Sequence, residues 1–358
     1  MIKRRKTRTV EVGKLKIGSD YPVVIQSMTK TNTSEIEKTT RQILEMEDAG
    51  CELVRVAVKF PEDAAAISQI KKNISIPIAA DIHFDPTLAV KAIMNGADKI
   101  RINPGNMKSP KDLDRIINLA VEKNVSIRIG INSGSLEEVT RARRSVSDIM
   151  AEALLKYLES FQRKSFHNII VSIKSRDVVN TWLAYKKVAL VCDYPMHLGI
   201  TSTGLANDAI VKSSIGIGAL LLEGIGDTIR VSLTDTPILE IETTKRILLA
   251  VGERYFTPEI IACPTCGRCQ VDLVSITKKI KKEIKERFKA KNEYKKPLTI
   301  AVMGCEVNGP GEAKMADIGI AFGNNKGAIF KKGKIIETVD ASRAVGRLMK
   351  YVSQLQVT

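Results

Sequence analysis

The sequence predicts a (β/α)8 TIM barrel followed by a smaller α+β domain that carries a metal site, and three observations carry this prediction. Eight short β-branched runs alternate with longer helical patterns from residue 23 to about 250; the alternation then stops; and four of the six cysteines lie beyond that point. A chain of 358 residues holds one barrel of about 250 residues plus a domain of about 100. The boundaries expected are 1–252 for the barrel and 253–358 for the second domain.

Taken in order, the first strand is VVIQSMT (23–29), and SEIEKTTRQILEMEDAG follows as a helix with Ser34 as its N-cap. LVRVAV (53–58), PIAADIH (77–83) and KIRINPG (99–105) are the next three strands, and SPKDLDRIINLAVEKN begins a helix with Pro110 in its first turn. SIRIGIN (126–132), NIIVSIK (168–174), MHLGIT (196–201) and TIRVSL (228–233) complete the eight. Parallel strands joined by right-handed crossovers of this length close at eight; an open doubly wound sheet is the alternative. Past residue 255, FTPEIIA leads into the cysteines and a long basic helix in which Leu273, Ile276, Ile280, Ile284 and Phe288 recur at helical spacing. LTIAVMGC (298–305), DIGIAFG (317–323), a hairpin over 328–339 turning at Lys332-Gly333, and a last helix from about Ser342 finish the chain.

Lys and Arg number 56 against 40 Asp and Glu, a net charge of +16. Much of the excess sits in KKIKKEIKERFKAKNEYKK (278–296), read as a helix with one docked apolar face and one solvated Lys/Glu face. A nucleic-acid helix is the sharper alternative, against which stands an aromatic content of only 4%. No apolar run approaches the roughly 18 residues that span a bilayer, and the basic start MIKRRKTRTV precedes no secretory apolar segment. Six cysteines without an export signal point to reduced thiols serving a metal in the cytoplasm.

Barrel strands are filled with apolar residues on both sides, yet these break the pattern near their C-terminal ends. Arg101 and Asn103 share one side of their strand, as do Arg128 and Asn132, Ser172 and Lys174, Asp81 and His83, and Arg230 and Ser232, while Arg55 stands alone in LVRVAV. At the C-terminal mouth, where barrel enzymes carry chemistry, they converge. Four arginines and a lysine then face Asp81 as the one acid on the strand ends, and unpaired buried cations are expensive. An anionic ligand supplies the missing charge, and arginine forks suit phosphate or diphosphate. Glu223 and Asp227 precede the eighth strand and belong to the opposite face, where structural roles are usual.

Cys263-x₂-Cys266-x₂-Cys269 with a distant Cys305 fits iron-sulfur ligation better than a zinc ribbon with two C-x₂-C knuckles, although the spacing alone also permits zinc. The motifs VIQSMTKT, AADIHFD, KIRINPGN, HLGIT, EGIGDTIRVSL, CPTC and MGCEVNGPGEA run in this order across nearly the whole chain. In them the sequence resembles the 4-hydroxy-3-methylbut-2-en-1-yl diphosphate synthases of the non-mevalonate isoprenoid pathway.

The resemblance implies a barrel like that of pteroate synthases joined to a sulfite-reductase-like cluster domain, in a homodimer where one chain's cluster domain covers the other's barrel mouth. It implies reduction of 2-C-methyl-D-erythritol 2,4-cyclodiphosphate to hydroxymethylbutenyl diphosphate, with a [4Fe-4S] cluster fed by ferredoxin or flavodoxin. The implied cluster ligands are Cys263, Cys266, Cys305 and Glu312, with Asn308 near the reacting carbons. The polar strand ends read above fit this substrate, and the expected substrate site gathers Arg55, Arg101, Asn103, Arg128, Asn132, Lys174, Thr201, Ser202, Arg230 and Ser232. Cys269 departs from the family pattern and falls outside the ligand set. Ser202 is a second departure: the family continues HLGIT with a glutamate that serves the leaving oxygen, so here a water, Asp81 or His83 takes that role, or the reductase is altered. Two other classes stay open at this level. They are a zinc-containing nucleic-acid-binding protein and a barrel phosphotransferase or aldolase with a structural cluster.

Overall fold

The computed structural model describes residues 2–103, 109–136, 144–201, 203–288, 293–294, 298–305 and 312–355. The chain divides into two compact units, Met1–Glu253 and Arg254–Thr358.

The first unit opens on a hairpin, β1 (Val10–Val12) and β2 (Leu15–Ile17), turned at Gly13, whose φ of +57° suits glycine. The eight barrel strands follow: β3 (Val24–Met28), β4 (Leu53–Ala57), β5 (Ile78–Asp81), β6 (Lys99–Ile102), β7 (Ser126–Asn132), β8 (Ile169–Lys174), β9 (His197–Leu198) and β10 (Thr228–Ile229). They alternate with α1 (Ile36–Asp48), α2 (Pro61–Lys71), α3 (Pro86–Met94), α4 (Pro110–Glu122), α5 (Val146–Gln162), α6 (Val178–Val191), α7 (Ala206–Leu222) and α8 (Pro237–Ala250). All strand pairs are parallel, in the order β8-β7-β6-β5-β4-β3-β10-β9, and a parallel bridge between Val171 and Met196 joins the two ends. The barrel is therefore closed, and the open doubly wound alternative is set aside.

The N-terminal hairpin was not anticipated. Val10, Val12 and Ile17 pack on Val24, Leu53, Ala79 and Ile170, all interior residues near the strand starts, so the hairpin plugs the N-terminal end of the barrel. Burial there secures strands that are short for the barrel they form. At the same end Asp227 is buried and bound by Arg4 (2.7 Å) and the Met196 amide (2.8 Å), a structural ion pair. Ser34 does not cap α1. The cap position is Glu35, without a side-chain bond, and the Ser34 amide instead donates to Asp63 Oδ1 (3.0 Å).

The second unit is a five-stranded sheet, β11 (Glu259–Ala262), β12 (Thr299–Met303), β13 (Ile318–Gly323), β14 (Lys326–Lys331) and β15 (Lys334–Asp340), in sequence order, with α9 (Leu273–Arg287) and α10 (Ala341–Gln354). The β14–β15 hairpin turns at Lys332 and Gly333, both with positive φ, as expected. Leu273, Ile280 and Ile284 of α9 and Ala344, Leu348 and Val352 of α10 cover one face of the sheet. The basic helix thus docks an apolar stripe and presents its lysines to solvent, the bland reading of its composition.

Candidate functional site

Register brings the polar strand residues together. Arg55 pairs with Ala79 and Ala57 with Asp81, then Asp81 with Arg101, Arg101 with Arg128, and Asn132 with Lys174. Paired residues of parallel strands point to the same face, so Arg55, Asp81, Arg101, Arg128 and Lys174 share the barrel interior. Two glycines make room for them. A Cβ on Gly130 would lie 3.1 Å from Arg101 Nε, and one on Gly199 would lie 2.6 Å from Lys174 Nζ.

Asp81 is the hub. Its carboxylate lies 3.3 Å from Arg101 Nη1, 3.5 Å from Arg55 Nε and 3.6 Å from His83 Nε2. Burial opposes its ionisation, but Arg55, the hydrogen bond with His83, Arg101 and Arg128 outweigh burial and hold the carboxyl far below its ordinary range. Burial pulls Arg55 down to about 10, with Asp81 resisting. His83, half exposed at the rim, also touches Arg101 Nη1. Asn132, with its amide oriented to suit its neighbours, accepts from Arg101 Nη2 at 3.2 Å.

Not every cation waits for a ligand. Arg230 is held by Glu240 (3.3 Å), a fully buried carboxylate of α8 that also accepts from Ser27 Oγ (2.7 Å) and Lys30 Nζ (3.0 Å). The strand ends alone offer Asp81 as the one facing acid; Glu240 is a second, brought in from a helix. Asn103 is buried, Ser232 is half-buried, and the backbone of Thr201 is tied to Ser175 O (3.2 Å). Ser202 and Asn308 lie outside the described residues.

Arg128 is different. Its side chain is 2% exposed, and neither Nε nor Nη1 has a hydrogen-bond partner among the described residues. Burial, then Arg55 and Arg101, disfavour its charged form. A guanidinium keeps its proton in proteins, so this penalty is a standing demand for an anion. Lys174 is buried in the same field, with Arg128 and Arg55 adding to desolvation.

Lys99 was missed. It is fully buried on β6, two residues before Arg101 and on the same face, with no partner for Nζ among the described residues. Burial, then Arg128 and Arg55, drive its pKa well below the lysine range. The spacing of two from Arg101 was the available signal. A lysine whose folded pKa lies below its unfolded value of about 10.4 destabilises the fold as pH falls from that value, so stability rises with pH across neutral to alkaline conditions. Replacing Lys99 by Met is expected to flatten that rise and to stabilise the ligand-free protein at pH 7 by about 1–3 kcal/mol, the order of the desolvation penalty of a buried polar group without a partner. Urea midpoints at pH 7 and 9.5 check this; an unchanged slope refutes it.

In the second unit, Cys263 follows β11 and Cys305 lies two residues past β12, its parallel neighbour. The Cys263 amide donates to Val302 O (3.3 Å), and the Gly304 amide donates to Cys263 Sγ (3.3 Å). Cys305 is buried, Cys263 half-buried and Cys266 exposed in the loop between. Glu312 opens a 3₁₀ turn whose Ala313 and Ala316 pack with Ala301, Met303 and Phe330, a cluster that Cys263 also borders. Among the described residues, no three His, Cys, Asp or Glu side chains stand close enough to share one metal ion. The donors present are soft thiols from adjacent strand ends, one already accepting a backbone N–H, and that chemistry suits an iron-sulfur group. Cys269 stands beside the same strand end, at the Gly304 whose amide bonds Cys263. Its sulfur fills the space beside Gly304, where a Cβ would come within 2.4 Å, and donates to Val271 O (3.3 Å).

Comparison with known proteins agrees in both units. Residues 7–245 match the family model of the GcpE TIM-barrel domain, and residues 259–354 that of the GcpE protein C-terminal domain. A 4-hydroxy-3-methylbut-2-en-1-yl diphosphate synthase (flavodoxin) of Thermodesulfovibrio yellowstonii is 48% identical, with 98% of this chain and 99% of that protein covered. The enzymes of that name from Fusobacterium nucleatum (46%, 98% of each chain) and Aquifex aeolicus (45%, 99% and 98%) are similarly related. Among solved structures, a dihydropteroate synthase from Stenotrophomonas maltophilia superposes with a TM-score of 0.53 at 14% identity, over 69% of this chain and 98% of that one. That likeness shows the barrel fold alone.

Proposed function

The chain belongs to the GcpE family of 4-hydroxy-3-methylbut-2-en-1-yl diphosphate synthases, and on that premise we propose how its residues carry out the reductive opening of 2-C-methyl-D-erythritol 2,4-cyclodiphosphate. The reaction removes one oxygen as water with two electrons and two protons, giving (E)-4-hydroxy-3-methylbut-2-enyl diphosphate. The observation that carries the reading is the charge deficit inside the barrel, where Arg128, buried and without a full set of partners among the described residues, stands beside Lys174. A diphosphate supplies the missing negative charge.

Arg55, Arg101, Arg128 and Lys174 bind the diphosphate, with Asn103, Asn132, Thr201, Ser202 and Ser232 around it. Asp81 keeps Arg55 and Arg101 aimed at one place, which spares the enzyme the cost of ordering them on binding. Arg230, already held by Glu240, adds positive potential at less desolvation cost. His83, at the rim and 3.6 Å from the Asp81 carboxylate, carries a proton to the leaving oxygen, a task the family gives to the glutamate replaced here by Ser202. Cys263, Cys266, Cys305 and Glu312 would hold a [4Fe-4S] cluster, which would supply the electrons, with the Glu312 carboxylate a more easily displaced ligand than a thiolate would be. Asn308 lies near the reacting carbons in this reading.

The electron donor is flavodoxin, as in the names of the relatives, or a ferredoxin. The enzyme works in the cytoplasm as a homodimer, the cluster unit of one chain meeting the barrel mouth of the other. Among the described residues no helix is long and apolar enough to cross a membrane. The comparisons support neither the nucleic-acid-binding reading nor that of a phosphotransferase or aldolase. An anaerobic assay of iron-loaded protein with the cyclic diphosphate tests the proposal: turnover must require a reductant, and turnover without one returns the aldolase reading.

A further inference from the structure

The net charge is shared unevenly. Residues 254–358 hold 20 Lys and Arg against 10 Asp and Glu, so less than a third of the chain carries +10 of the +16. The densest part is the solvent side of α9. Leu273, Ile280 and Ile284 are buried there, and Lys278, Lys279, Lys281 and Lys282 are exposed over little more than one turn.

A merely solvated helix face mixes its charges, because like charges three and four residues apart weaken a helix. Here 278 faces 281 and 282, and 279 faces 282. The carboxylates next along the helix are Glu283 and Glu286, and Glu283 is engaged by Arg287 at 3.4 Å. Glu283 stands four residues after Lys279 and Glu286 four after Lys282, so these pairs offset the like-charge repulsion of the turn only in part.

The position of the turn gives the remaining repulsion a use. α9 begins four residues after Cys269, and Leu273 reaches Gly304, where an added Cβ would lie 3.4 Å from its Cδ2. The start of the helix thus stands directly behind the strand end that bears Cys305. The loop over 264–268, shortly before the helix in the chain, is exposed throughout and holds Arg268 and Cys266, the one exposed cysteine of the proposed ligand set. Val274, also exposed, places an apolar contact among the charges.

We propose that Arg268, Val274, Lys278, Lys279, Lys281 and Lys282 form the docking surface for an acidic electron-carrier protein. The proposal rests on the reductase reading above. Each encounter oxidises the carrier by one electron at the thiolate side of the cluster domain, and two encounters supply one turnover. Electron-transfer complexes are small and gain speed from charge complementarity more than from buried area, as a lysine field with one apolar contact predicts.

The test uses iron-loaded enzyme carrying Lys278→Glu, Lys281→Glu and Lys282→Glu together, with reduced flavodoxin and with dithionite as alternative reductants. With flavodoxin, kcat/KM for the carrier is expected to fall about tenfold or more at low salt and less at high salt, the mark of lost steering. With dithionite, turnover is expected to equal that of the unaltered enzyme. An unchanged flavodoxin kcat/KM overturns the proposal. So does an equal loss with dithionite, which assigns the lysines to the fold or the cluster. Retention of duplex DNA by the unaltered protein at about 0.15 M salt, lost in the variant, also overturns it and makes the face a nucleic-acid surface. Should the unaltered enzyme turn over with neither reductant, the reductase reading itself is what falls.

Discussion

Glu312→Ala is expected to keep at least part of its iron-sulfur absorbance and to lose turnover by more than about a hundredfold, since even an outer-shell partner of a metal ligand typically costs roughly 10–100-fold. On the proposed ligand set three thiolates would still hold the group, and the iron without its carboxylate would admit other ligands and be the one most readily shed. Cys269→Ser is expected to do the opposite, keeping both colour and most of the activity. Its sulfur packs against Gly304 and bonds the Val271 carbonyl, contacts a serine hydroxyl of similar size largely reproduces. Iron counts and electron paramagnetic spectra of the two variants, prepared anaerobically, decide between an open site and one closed by four thiolates. A bleached Cys269→Ser beside a fully active Glu312→Ala contradicts the open site.

Arg128→Ala is expected to weaken binding of the cyclic diphosphate by about ten- to a hundredfold, the equivalent of roughly 1.5–3 kcal/mol for a charge-assisted contact. The cluster spectrum should not move, because Arg128 belongs to the barrel unit and the cysteines to the other. Arg101→Ala should show the same separation, with the added effect of freeing one side of Asp81. Calorimetry with the substrate, beside the visible spectrum, measures both. Unaltered affinity in the two variants removes these arginines from the site.

Much of the fold was legible because barrel strands announce themselves twice, as β-branched runs and as a fixed alternation with helices. All eight strands were found, and polar residues at spacing two marked the side that faces the interior. Three features escaped because nothing local encodes them. The plug formed by Val10, Val12 and Ile17 acts through contacts with strands far along the chain. Glu240 looks like an ordinary residue in the first turn of α8 until the fold sets it against Arg230 and Ser27. Ser34 had the chemistry of a cap, but its amide found Asp63 instead and the helix begins one residue later, with Glu35 at its cap position. Lys99 is the instructive case, since its strand and its side were both readable and only its burial was not. In the second unit, the cysteine spacing left four candidate donors and only the resemblance set Cys269 apart; the structure adds that adjacent strand ends present Cys263 and Cys305, with the Cys269 sulfur packed beside Gly304.

The central claim is that a diphosphate held by the barrel cations is reduced by two electrons with loss of one oxygen. It is tested most directly by adding the cyclic diphosphate anaerobically to pre-reduced, iron-loaded enzyme and following phosphorus resonances and electrons consumed together. The account predicts one linear allylic diphosphate formed for every two electrons, and no change when the enzyme is left oxidised. A new phosphorus species formed by oxidised enzyme, or product formed without consumption of electrons, would contradict it.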